Sequence, residues 1–195
     1  MKKAAMFGLD ARVALAIFGS LSVVTGASLY SAIQESKITA IITQLNELGK
    51  SYEEFYFDTR VELEPVSTNF LKISDLHSGT QRGWNGPYTN LTGSATSLNW
   101  NGYYLNLHAA RDGAWSAATP AAWADAKCSS NTVSGECYVW AAVSLGTTSA
   151  HLDIANKIDE RIDGTQNAVE GDVRIFRGSP SLSYYALVKQ RIYND

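Results

Sequence analysis

Residues 13–34 read VALAIFGSLSVVTGASLYSAIQ, a run of 22 without one charged side chain. At about 1.5 Å per residue the run makes a helix about 33 Å long, the thickness of a bilayer's hydrocarbon core. It is long enough to cross a membrane once. Lys2, Lys3, Asp10 and Arg12 precede it, whereas Glu35 and Lys37 offset each other just beyond it. The positive-inside rule then puts the N-terminus in the cytoplasm and everything after about residue 34 beyond the cytoplasmic membrane. A cleaved secretory signal shares the basic start and the apolar stretch, with Thr25-Gly26-Ala27 or Tyr30-Ser31-Ala32 as small residues before a cut. An acid and a base at Asp10 and Arg12, directly before the run, are unusual for such a signal.

The sequence that follows weighs more. Ile38, Ile41, Ile42, Leu45, Leu48, Tyr52, Phe55 and Tyr56 recur at spacings of three and four. Gln34, Lys37, Asn46, Glu47, Lys50 and Glu53 lie off that stripe or at its edge. No proline occurs before Pro65. The pattern predicts one helix over about 6–57, apolar all round in its first half and amphipathic in its second, far longer than a globular helix. A signal peptide would not be continued in phase by an amphipathic helix. The pattern suits a membrane stem whose outer part carries a folded head.

That head, residues 58–195, is long enough to bury a core. Residues 61–74 mix short apolar runs with Pro65 and read as loop with one short strand or turn of helix. Strand-like runs follow at 103–108, 137–145 (CYVWAAVSL), 172–176 (DVRIF) and 182–193 (LSYYALVKQRIY). Thr119-Pro120 carries the N-cap and first-turn signals of a short helix reaching Lys127. A second helix is predicted over about 150–163, with Leu152, Ala155, Ile158 and Ile162 on one face and Gly164 as its stop. The expected fold is α+β: an antiparallel sheet laid against the outer half of the long helix.

Composition excludes other classes. With 18% charged and 45% hydrophobic residues the chain is not disordered, and a net charge of -3 gives no footprint for a polyanion, so nucleic acid is not an expected partner. There is no His-Glu-x-x-His, Gly-x-Ser-x-Gly or phosphate-binding Gly-x-x-x-x-Gly-Lys motif, and His77, His108 and His151 lack metal-like spacing; no enzymatic role and no catalytic residue is expected. His151, at a helix start, reads as a capping or surface residue. Cys128 and Cys137, nine apart in the exported part, read as one structural disulfide, since a redox-active Cys-x-x-Cys and further metal ligands are both missing. Five tryptophans and ten tyrosines would also permit a carbohydrate- or surface-binding face, although most should be core or loop anchors.

The pieces together resemble the type IV pilins and the pseudopilins of type II secretion, which share a short basic leader, a long N-terminal helix and an exported α+β head. In that family a prepilin peptidase cuts after a small residue, and the mature chain carries Glu fifth and Gly near the fourteenth position. A cut between Ala5 and Met6 gives MFGLDARVALAIFG, with Asp10 fifth and Gly19 fourteenth. Gly83-Trp84-Asn85-Gly86-Pro87-Tyr88 is similar to a Gly-Trp-x-Gly-Pro-Tyr segment of many pilin-like heads. Lys157–Gly164 followed by Gly171-Asp172-Val173-Arg174 is similar to an Asp, Asp-Gly, Gly-x-Val-Arg stretch of the same group. The departures are Ala5 for Gly, Asp10 for Glu, Met6 at the mature start and Arg12 in a usually apolar stretch; a cut at Gly8 would put Val13 fifth and lose the carboxylate.

The resemblance implies a leader at 1–5, a filament subunit that assembles with copies of itself, and a peptidase, an assembly ATPase and membrane platform proteins as partners. It also leaves calcium open, because some pseudopilins bind it in the head; Asp159, Asp163, Asn167 and Asp172 are the oxygens near Gly164, although a polar turn explains them equally. A carboxylate at Asp10 is costly at the edge of a membrane span unless paired, and a neighbouring chain's new N-terminal amine would pair it. The competing reading is an intrachain pair with Arg12 or snorkelling to the interface. A bitopic or secreted binding protein, or an enzyme with the helix as anchor, is the alternative to the filament subunit.

Overall fold

The computed structural model describes residues 4–67, 69–115, 125–129, 133–177 and 183–193, with backbone alone at 4–7 and Leu9. Helix α1 (Ala4–Thr59) starts before and ends two residues beyond the sequence reading. It stops because Arg60 adopts a left-handed conformation, φ 61°, with its N–H closing on Tyr56 O at 2.8 Å. Residues 1–40 and 41–195 form two compact units.

Over residues 13–33 the apolar residues of α1 are exposed all round, whereas Ile38 is buried. Leu15 is 70%, Phe18 71% and Val23 74% exposed, with Leu21, Val24 and Leu29 close behind. Among the described residues α1 is the one helix long and apolar enough to cross a membrane.

The second unit is α+β. Residues 41–59 of α1 bury Ile41, Leu45, Leu48, Tyr52, Phe55 and Thr59, spaced alternately four and three apart, so one stripe faces the sheet. After the helix come β1 (Pro65–Ser67), β2 (Phe70–Leu71), a single turn α2 (Asp75–Ser78), β3 (Leu98–Trp100), β4 (Tyr103–Arg111) and β5 (Cys137–Gly146). Then α3 (Ser149–Asp163), β6 (Val173–Arg177) and β7 (Tyr184–Ile192) complete the described elements. The strands form one antiparallel seven-stranded sheet in the order β1-β2-β4-β5-β7-β6, with β3 pairing β4 beside β2.

Four of these strands follow the apolar runs of the sequence. The stretch expected to hold one short strand or turn instead forms β1 and β2, each too short to carry a period. Strand β3 was not expected; Asn101 (φ 46°) and Gly102 (φ 82°) make the tight turn that folds it onto β4. Helix α3 ends at Gly164, φ 76°, as expected, but its buried residues are Ile154, Ala155, Ile158 and Asp159. The stripe is therefore rotated from the expected one, leaving Leu152 and Ile162 half-buried. The opening of the helix expected at Thr119-Pro120 lies outside the described residues, and Lys127, expected at its end, forms an isolated bridge with Ala110.

Both sheet faces are buried over their centre. One carries Leu105, Leu107, Ala109, Val139, Ala141, Val143, Ala186, Val188, Val173 and Ile175. Gln190 belongs to this face, and a Cβ at Gly49 of α1 would run into its side chain, which places the helix here. The small residues Ala109, Ala141 and Ala186 let it approach. The other face packs Ala110, Trp140, Ala142, Leu187 and Phe176 against Trp115 and Ala126.

His108 stands on that second face, 1% exposed, beside the Phe70 ring at 4.3 Å between centroids. Burial lowers its pKa to about 3 from 6.5, so it is neutral in the fold. The unfolded chain takes up this proton at higher pH than the folded one. The contribution is thus complete above about pH 6.5 and is lost as pH falls toward 3, at up to about 1.4 kcal/mol per pH unit. Urea unfolding followed by tryptophan fluorescence between pH 4 and 7 should show this slope, and His108→Leu should flatten it.

Candidate functional site

The N-terminal part of α1 is the first candidate. Four of its hydroxyls turn back onto the helix: Ser20 donates to Ile17 O at 2.9 Å, Ser22 to Phe18 O at 2.8 Å, Thr25 to Leu21 O at 2.5 Å and Ser28 to Val24 O at 3.0 Å. These four hydroxyls need no hydration, which suits a surface facing an apolar solvent or another apolar helix. Ala5 and Met6 lie in the opening turns of α1. Asp10 is exposed, and among the described residues it has no ion-pair partner. Arg12, two residues on, projects from a different side of the helix, so the intrachain pair is not made.

The other motif residues are anchors within the head. In the Gly83–Tyr88 segment, the Trp84 indole donates to Asp75 O at 2.8 Å and meets the Tyr88 ring edge-on at 5.8 Å. The Tyr88 hydroxyl donates to Asp58 at 2.9 Å, its ring stands edge-on to Phe55 at 5.9 Å, and its carbonyl accepts from the Ser51 hydroxyl at 2.9 Å. Gly83 has φ 89° because it passes against Asp58 O, where a side chain has no room. The segment is a strap that fastens the loop to α1 at Ser51, Phe55 and Asp58. Beside it an open cleft of about 580 Å³ is lined by Asp58, Glu62, Glu64 and Arg82.

A second fastening lies at the end of β7. Arg191 stacks on Tyr56 at 3.8 Å and on Tyr52 at 5.6 Å, and reaches Glu62 at 3.4 Å. The Tyr52 hydroxyl donates to Glu62, and burial pushes the tyrosine's pKa up. The sequence shows no pattern for this cluster, because its members are far apart in the chain.

The later motif holds a turn. Asp163 accepts from the N–H of Asp172 at 2.9 Å and of Val173 at 3.0 Å, and Asp159 accepts from the N–H of Asn167 at 2.7 Å. Burial raises the Asp159 pKa. These carboxylates close the α3–β6 connection, and among the described residues no group of three His, Cys, Asp or Glu is placed to hold a metal. Arg174 is buried between Trp140 at 5.2 Å and Trp115 at 5.8 Å and donates to Asp112 O at 2.8 Å. Desolvation lowers its pKa. His151 caps α3: its Nδ1 lies 2.9 Å from the Thr148 hydroxyl and 3.3 Å from the Thr148 N–H. Of the tryptophans, Trp115 and Trp140 are core and Trp84 is a loop anchor, as expected, Trp100 stands half-buried on β3, and Trp123 lies outside the described residues.

Cys128 and Cys137 are joined in a disulfide, with Cα atoms 5.4 Å apart. Arg111, the cross-strand partner of Cys137, donates to Cys128 O at 3.0 Å and Gly135 O at 2.8 Å, so the same loop is held twice.

The chain matches no protein-family model, no curated protein and no solved structure.

Closing a loop of this length should stabilise the head by about 2–3 kcal/mol. The Cys128→Ser/Cys137→Ser variant should therefore unfold at lower urea, with Arg111 keeping the loop close enough that the native circular dichroism persists.

Proposed function

We propose that the chain is a structural subunit of a type IV pilus or pseudopilus filament, anchored by α1 in the cytoplasmic membrane before assembly. The carrying observation is the division of α1. Its residues 13–33 expose large apolar side chains on every side, while its residues 41–59 are built into an α+β head. A helix of this kind serves two environments. In the bilayer its first part is solvated by lipid; once withdrawn, it needs an equally apolar cover, which copies of itself supply. Head-to-tail packing of identical helices is a heterologous, non-closing contact and yields a helical fibre.

Asp10 fits this reading as the group that sets the axial offset. Cleavage between Ala5 and Met6 would create an amine, and an amine of a neighbouring chain opposite Asp10 neutralises a carboxylate that has no partner in its own helix. The peptidase, the ATPase and the membrane platform enter as the machinery such a subunit requires. The head would be carried outside, where the disulfide is stable, and its task in the filament is display or pushing rather than chemistry.

Two measurements test this. The mature protein recovered from membranes should begin at Met6 by mass and N-terminal sequencing; a start near Ser28 or Ile33 indicates a secretory signal, and an intact Met1 a plain membrane anchor. Asp10→Asn should insert normally yet lose filament assembly by at least about tenfold, the equivalent of about 1.4 kcal/mol; filaments at the normal level would remove Asp10 from the mechanism.

A further inference from the structure

One row of side chains crosses the sheet on the face away from α1. Asn99 on β3 pairs with Tyr104 on β4, Tyr104 with Ser144 on β5, Ser144 with Tyr185 on β7, and Tyr185 with Phe176 on β6. Strand alternation puts this row on the same side as Ala110, Trp140 and Leu187. Further along the sheet that face is covered by Trp115 and Ala126, but here it opens. Tyr104 is 56% exposed, Asn99 is exposed, and Ser144 and Tyr185 are half-buried.

The strand register lays the row out as a slot. Tyr104 and Tyr185 stand two strand spacings apart, about 9.6 Å, with the small side chain of Ser144 as the floor between them. One puckered six-membered ring fits such a width, with carbon contacts of about 4 Å on each side. Phe176 packs against the Tyr185 ring at 6.1 Å and fixes that wall.

The chemistry of the lining narrows the occupant. Two phenol faces offer apolar, weakly negative surfaces suited to C–H groups. Around them stand the Ser144 hydroxyl, the Asn99 amide and the hydroxyls of Tyr104 and Tyr185, which hydrogen-bond no described residue. Each hydroxyl both donates and accepts, and the amide does one at each end. One pleat along, Asn106 donates to Thr96 O while its buried amide oxygen has no donor among the described residues. No charged side chain belongs to the row, so nothing there would balance an ionic ligand. The match is a ligand with apolar ring faces and a hydroxyl rim. We infer that this row is a binding site for one ring of a neutral carbohydrate.

The test uses the full chain in phosphatidylcholine nanodiscs, which avoid glycoside detergents, titrated calorimetrically with neutral hexasaccharides of β-1,4 glucose, β-1,4 N-acetylglucosamine, β-1,4 xylose and α-1,4 glucose. At least one should bind saturably with Kd of about 1 mM or tighter. Tyr104→Ala and Tyr185→Ala should each weaken it about tenfold or more. Ser144→Trp, which fills the slot, should abolish it. Tyr104 is exposed, so its variant keeps the fold, and an unchanged melting curve verifies this. No saturable binding by any of the sugars, or affinity unchanged in Tyr104→Ala and Ser144→Trp, overturns the site. The result is independent of filament assembly, which the Asp10 variant tests separately.

Discussion

The structure depends on how the apolar surface of α1 is covered. Over residues 13–33 the helix turns Leu, Ile, Val and Phe side chains outward in every direction, and at roughly 25 cal/mol per Å² of apolar surface such a helix is not tolerated in water. Such a helix is long and apolar enough to cross a membrane. Its polar atoms agree with this, since Ser20, Ser22, Thr25 and Ser28 turn their hydroxyls back onto the helix's own carbonyls. The requirement stops abruptly. Over residues 41–59 the buried apolar residues form one stripe that the sheet covers, with Phe57 left exposed, and Asn46, Glu47, Lys50 and Glu53 face solvent.

Inside the head the same economy recurs. Polar groups are used to tie chain segments that are remote in sequence. The Trp84–Asp75 and Tyr88–Asp58 bonds tie a loop to a helix, Arg191 ties the last strand to Tyr52, Tyr56 and Glu62, and Asp163 ties the start of β6 to the end of α3. Arg174 takes its place among two tryptophans because its guanidinium finds carbonyl acceptors at Gly171, Val173 and Asp112. Removing an acceptor from Arg174, which is buried, would leave a polar group unsatisfied, which costs more than the bond itself contributes.

Much of this was legible in the sequence, for identifiable reasons. Helix α1 is written in its charge gap and in a long run of three- and four-residue spacings. The longer strands β4, β5, β6 and β7 have enough residues to show their apolar character, and Gly164 marks the end of α3 where only a left-handed residue serves. Strands β1 and β2 were not separable from loop because two or three residues hold no period; they exist through their pairing with β4 and with each other. Strand β3 could have been found from Asn101-Gly102 flanked by Trp100 and Tyr103. The buried face of α3 differs from the expected apolar stripe because it includes a carboxylate, Asp159, which accepts from the Asn167 N–H. The row from Asn99 to Phe176 was beyond reach, since it depends on the register of five strands.

The two fastenings on residues 41–59 also bear on how the molecule carries load. Ser51, Phe55 and Asp58 are gripped by the strap at Tyr88, and Tyr52 and Tyr56 by Arg191. Tension applied along the axis of α1 would strain these contacts together as a shear, so no single bond would bear the whole force. The head is joined to its helix as a lap joint rather than as a hinge.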